Sequence, residues 1–132
     1  MTLIIGVYAG YYISRVNFKF KRYLIISILS ARMMPLVSIA IPIYFVYEKI
    51  NLLDTYIGII FVHTFINLPL AVLLLKSFFD EVPKQIDENA YIDGASKIKI
   101  LHRLVIPCAK SGMAVTFILS LIFCWTEFIC AL

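Results

Sequence analysis

The sequence predicts an all-α membrane protein: polytopic transmembrane helices with one cytoplasmic loop built from a pair of short helices. Three observations lead there. Hydrophobic residues make up 62% of the 132-residue chain, and its mean hydropathy of +0.94 is too apolar for a soluble core of this size. Charged residues make up only 15%, and they gather in short clusters instead of spreading along helical faces as solvated surface requires. Between two long apolar runs sits a polar island, Glu88–Pro107, reading ENAYIDGASKIKILHRLVIP. The net charge of +4 comes with no Lys/Arg run long enough to track phosphates, so it reports membrane topology, and lipid rather than nucleic acid is the expected surroundings. Cys108, Cys124 and Cys130 form no CxxC and have no His at ligand spacing. They read as small apolar fillers, with neither a disulfide nor a metal expected.

Thr2–Ile13 is apolar but at about 1.5 Å per residue reaches only roughly 18 Å, against a hydrocarbon core of about 30 Å. It reads as the inner half of a spanning helix. Gly6 and Gly10 form a GxxxG, either a close-packing seam or a chance spacing in a glycine-tolerant segment. Arg15, Lys19, Lys21 and Arg22 follow with no acid among them, which puts that loop in the cytoplasm. Tyr23–Tyr47 is long enough to span with tilt, and Pro35 and Pro42 predict kinks within it. Arg32 lies about ten residues, or roughly 15 Å, from the basic loop and so near mid-membrane. There it either lines a pathway or pairs with an acid; snorkelling, or capping of an interrupted helix, is the competing reading.

Glu48–Thr55 is a short polar turn suited to an extracytoplasmic hairpin. The chain re-enters at Tyr56 and runs uncharged to Leu75, with Lys76 at the cytoplasmic end. His63 and Asn67 interrupt its polarity; an interhelical hydrogen bond is the favoured reading for them and a polar pathway lining the sharper one.

The island follows. Pro83 suits a first helical turn, and Ile86 and Ala90 recur on one face. Gly94 ends that pattern, after which Ile98, Leu101 and Val105 mark a second amphipathic helix expected on the membrane or against a partner. Two short helices joined by a glycine make a docking element, though an ordinary re-entry loop has the same periodicity. Pro107 then opens the last span, where Trp125 fits an aromatic belt. Glu127 falls about 30 Å along that helix, near the far interface.

The segment DENAYIDGASKIKILHRLVIPCAKSG resembles the EAA loop of ABC-importer membrane subunits. Glu88, Asn89 and Ala90 stand at its Glu-Ala-Ala, Gly94 at its glycine, and Leu104, Ile106 and Pro107 at its closing Ile-x-Leu-Pro. The spacing is intact; Asn89 replaces an alanine and Leu104 an isoleucine. RMMPLVSIAIPIYFVYEKINLLDTYIGII, NLPLAVLLLKSFFDEVP and CWTEFICAL are similar to the maltose-type sugar permease subfamily. Permeases of this type carry about six spans in roughly twice this length. The resemblance therefore implies a partial transmembrane domain over 1–132, with spans at about 2–13 (truncated), 23–47, 56–76 and 109–132 and a cytoplasmic coupling loop at 80–110.

Further implications follow from the resemblance. The chain would be a multi-pass protein of a prokaryotic plasma (inner) membrane and no enzyme itself. ATP and Mg would bind partner ATPase subunits, a second permease subunit would complete the pathway, and an extracytoplasmic solute-binding protein would deliver sugar. Glu88, Ala90 and Gly94 would form the contact with the ATPase, Ile98 and Leu101 would hold the second helix, and Pro107 would begin the helix that the loop moves. Two other classes stay open: a truncated, nonfunctional remnant, or a small helical membrane protein that binds a partner. An embedded enzyme needs clustered catalytic groups, and Arg32 and His63 are too sparse for that.

Overall fold

The computed structural model describes residues 1–126, without the side chains of Arg32, Leu36 and Val37; Glu127 and Cys130 lie outside the described residues. Those residues form α1 (Thr2–Arg15), α2 (Lys21–Arg32), α3 (Leu36–Lys49), α4 (Tyr56–Glu81), α5 (Lys84–Ile92), α6 (Lys97–Cys108) and α7 (Lys110–Thr126). By length and composition α4 can cross a membrane alone, whereas α6 and α7 qualify only as a pair bent by 80°.

The expected single span over 23–47 is two helices. The chain leaves helix geometry after Arg32 and resumes at Leu36, with Pro35 extended at ψ 131. Proline has no N–H to donate and pushes the residue before it out of helical geometry, so the break falls at Pro35 rather than bending one helix. Pro42, by contrast, sits inside α3. The two helices have 12 and 14 residues. At about 1.5 Å per residue neither reaches across a hydrocarbon core of about 30 Å on its own.

The α3–α4 hairpin is built by local chemistry. Leu52 N–H donates to Tyr47 O at 2.9 Å and Asn51 N–H to Glu48 O at 3.3 Å, closing α3 with Asn51 at φ 52. Asp54 is also left-handed, at φ 55; both residue types tolerate that conformation. Thr55 then caps α4, its Oγ1 accepting from Gly58 N–H at 3.1 Å.

Register fixes the directions. Gly6 faces Ala71 and Leu75, Gly10 faces Val72 and Lys76, and Ser14 bonds Asp80, so α1 and α4 run parallel. Gly112 sits on Phe78, while Cys124 meets Asn67, so α7 runs antiparallel to α4. The glycines of the GxxxG are thus the seam on which α1 lies against α4.

The buried core lies at the polar end of this bundle. Val7, Leu75, Phe79, Val82, Ala90, Ile100, Leu101, Val105 and Ala109 form one cluster. Away from it, α3 exposes Ile41, Phe45 and Val46, α4 exposes Ile57, Ile60 and Phe61, and α7 exposes Phe117, Ile118 and Leu121. Contiguous apolar surface of that extent is stable only against lipid or other helices.

Candidate functional site

The turn between α5 and α6 shows why its glycine is needed. Ala95 N–H donates to Ala90 O and Gly94 N–H to Tyr91 O, both at 3.0 Å. This is the paired closure of a helix by a left-handed residue, and Gly94 supplies it at φ 78. A Cβ at Gly94 would meet nothing within 4 Å, so backbone conformation alone restricts the position, and the space beside it is open.

The remaining residues of the loop divide between two faces. Outward lie Glu88, Asn89, Tyr91, Ile92 and Ile98, with Ile92 84% and Ile98 65% exposed. Inward lie Ala90 and Leu101, the latter 2% exposed.

Three expectations therefore change. Ile98 does not share a face with Leu101 and Val105: it is exposed where they are buried, and residues 101–105 form a π-helical turn in which Ile106 N–H reaches Leu101 O. The buried stripe is Ile100, Leu101, Val105 and Ala109. That stripe packs into the chain's own core and does not lie on a membrane or a partner. Pro107 does not open the last span; it sits in the final turn of α6, and the chain breaks at Ala109 before α7 begins. A proline ring collides with the carbonyl four residues back, and the wider π turn just ahead of Pro107 accommodates it.

A polar cluster absent from the sequence reading ties this loop to α1. Arg15 Nε lies 2.5 Å from Asp87 Oδ2, the two side chains only 10% and 8% exposed, and Tyr11 Oη donates to Asp87 Oδ1 at 3.1 Å. The Arg15 approach is close but off the hydrogen-bond line, leaving its guanidinium nitrogens and Asp87 Oδ2 buried without aligned partners. Removing one member of a buried pair costs on the order of 3–5 kcal/mol, because the other charge is stranded. Beside it, Ser14 Oγ donates to Asp80 Oδ1 at 2.6 Å and Lys76 Nζ to Asp80 Oδ2 at 2.5 Å. Tyr8 Oη meets His102 Nε2 of α6 at 2.9 Å. In the sequence Arg15 is one of four neighbouring cations that mark topology. The available signal was Tyr11 four residues before it, on the same helical face.

A half-open cavity of about 710 Å³ lies among α1, α2, α3, α4 and α7, lined by Ile13, Ser27, Ile28, Ile39, Asn67 and Phe123 among others. Asn67 Nδ2 donates to His63 O at 3.0 Å and to Cys124 Sγ at 3.5 Å. It therefore bonds between helices and lines the cavity at once. His63, on the same helix, is half-buried. Arg32 ends α2, and its side chain lies outside the described residues.

The family model for "Binding-protein-dependent transport system inner membrane component" matches residues 2–132. The chain belongs to this family. The family is that of ABC transporter permease components, transport subunits rather than catalytic ones. Among curated relatives, the sulfoquinovosyl glycerol transport system permease protein SmoH of Agrobacterium fabrum is 32% identical over all of this chain and 46% of its own length. The trehalose transport system permease protein SugB of Mycobacterium tuberculosis is 33% identical over all of this chain and 48% of its own. The trehalose/maltose transport system permease protein MalG of Thermococcus litoralis is 34% identical over 99% of this chain and 47% of its own. The permease chain thus spans about half the length of the curated relatives it matches.

Proposed function

We propose that this permease chain carries the coupling half of an ATP-driven importer for sugars or oligosaccharides in a prokaryotic inner membrane. ATP and Mg bind partner ATPase subunits, a second permease subunit completes the pathway, and a solute-binding protein supplies the substrate from outside. The sugar assignment rests on relatives named for trehalose, maltose and sulfoquinovosyl glycerol transport.

The observation that carries the reading is the two-faced loop. Ile92 and Ile98 stand exposed around an open Gly94, while the same two helices bury Ala90, Ile100, Leu101 and Val105 against the membrane helices. A surface that is open on one side and locked to α4 on the other can pass a displacement from a soluble partner into the bundle. ATP binding then shifts the pathway by as much as the ATPase favours one loop position over the other. Glu88, Gly94 and Ile98 offer the contact, with Tyr91 and Ile92 beside them; Ala90 and Leu101 support it from behind.

Gly94→Arg tests this directly. Arginine at that position is strained at φ 78 and fills the space a partner would occupy, so uptake should be abolished while the chain still inserts in the membrane. Normal ATP-driven uptake by that variant would remove the loop from the coupling route.

A further inference from the structure

We propose that Arg15 is the positioning residue of the coupling helix: through Asp87 it latches α5 to the end of α1, so that movement of the loop reaches α1 as well as α4. The inference rests on the coupling reading above and adds a second route to it. Glu88 faces outward from α5 and Asp87, its neighbour in the chain, faces inward, so a push on one is delivered to the other through a single rigid helical turn. Asp87 is gripped from two positions on one face of α1, by Tyr11 Oη at 3.1 Å and Arg15 Nε at 2.5 Å. The residue just before Arg15, Ser14, is fixed to Asp80 at the end of α4, and Lys21 Nζ donates to Ser14 O at 3.3 Å. The end of α1 is thus the joint at which α4, α5 and the start of α2 meet through polar contacts.

Packing alone would join these helices without placing charge there. A buried pair is directional and costly to leave half-made, so it holds α5 at one angle instead of letting it slide. The unused Arg15 Nη groups are buried beside Asp87. A small rotation of α5 would let the carboxylate take a two-pronged grip on the guanidinium, giving the joint a second position, better aligned than the observed one.

The test uses the full-length permease assembled with its second permease subunit, ATPase and solute-binding protein, in nanodiscs for hydrogen exchange and in sealed proteoliposomes for uptake. Asp87→Asn, Arg15→Asp, Asp87→Arg and the double variant R15D/D87R are compared for hydrogen exchange over residues 84–92 and for solute taken up per ATP hydrolysed. The single variants should speed exchange in α5 but not in α7, and lower uptake per ATP on the order of fivefold or more, the range of one allosteric coupling. The charge-swapped double variant should recover both. Asp87→Asn is nearly isosteric, so it keeps the question open to test even if the charge reversals assemble poorly. Unchanged exchange and unchanged uptake per ATP in Asp87→Asn would overturn the latch and leave the coupling reading standing. A wild-type permease that does not retain the ATPase would overturn the coupling reading, and with it the latch as a transmitting element.

Discussion

Gly10 shows how much one hydrogen atom in place of a side chain determines here. A Cβ there would meet Lys76 N at 3.1 Å and Val72 O at 3.2 Å, and both are backbone atoms of a helix that cannot step aside. At Gly6 the nearest atom, at 3.0 Å, is Leu75 Cδ1, the far end of a flexible side chain. Gly10→Val should therefore lose about 1–3 kcal/mol through overpacking, while Gly6→Ala should stay within about 1 kcal/mol. Denaturant titration of the purified chain in detergent, read by circular dichroism, separates the two; equal losses would mean that α1 does not ride on α4 at this register. The GxxxG spacing was visible in the sequence, but spacing does not name the helix it meets, and so the seam could not be told from chance. Arg15 was hidden for a related reason: three further cations within a few residues gave it a sufficient explanation as a topology marker, and its partner lies 72 positions away in sequence.

Among the elements, α7 depends on the contact between Gly112 and the Phe78 ring of α4, where an added Cβ would overlap the ring. Gly112→Ala should push α7 off α4 and destabilise the bundle by about 1–3 kcal/mol. Shortening the ring with Phe78→Ala in the same chain should return part of that loss, although Phe78→Ala alone leaves a gap. Thermal unfolding of the two single variants and the double variant measures the coupling, and strictly additive losses would dissociate the two helices. The all-helical class was legible because apolar runs bounded by charge clusters leave few alternatives in a bilayer. Two features were not. Whether a proline bends a helix, as Pro42 is accommodated within α3, or ends one, as at Pro35, depends on what surrounds it. The π turn at residues 101–105 widens the helix without leaving a mark on the letters of the pattern. Ile98 stands three residues before Leu101, a spacing that suggests a shared face, yet Ile98 is exposed and Ile100 is the residue buried beside Leu101.

At the scale of the whole molecule, the parallel run of α1 and α4 and the antiparallel return of α7 place the ends of all three, with α5 and α6, around one core. The coupling reading requires that this end face the cytoplasm. The basic residues near it, Arg15, Lys19, Lys21 and Arg22, agree with that side, because cations flanking spans are retained there. Cys108 provides the test: it is exposed at the end of α6, and Cys124, exposed as well on α7 beside Asn67, is removed so that labelling reports Cys108. In a chain with Cys124→Ser and Cys130→Ser, Cys108 should react with a membrane-impermeant maleimide in inside-out vesicles and stay unlabelled in right-side-out ones. Labelling from the outside alone would invert the bundle, taking the α5–α6 surface away from any ATPase and leaving its exposed Ile92 and Ile98 to some extracytoplasmic partner. Labelling from the inside would put that surface on the side where ATP is available, and the bend of 80° between α6 and α7 would then be where a cytoplasmic displacement turns into the membrane.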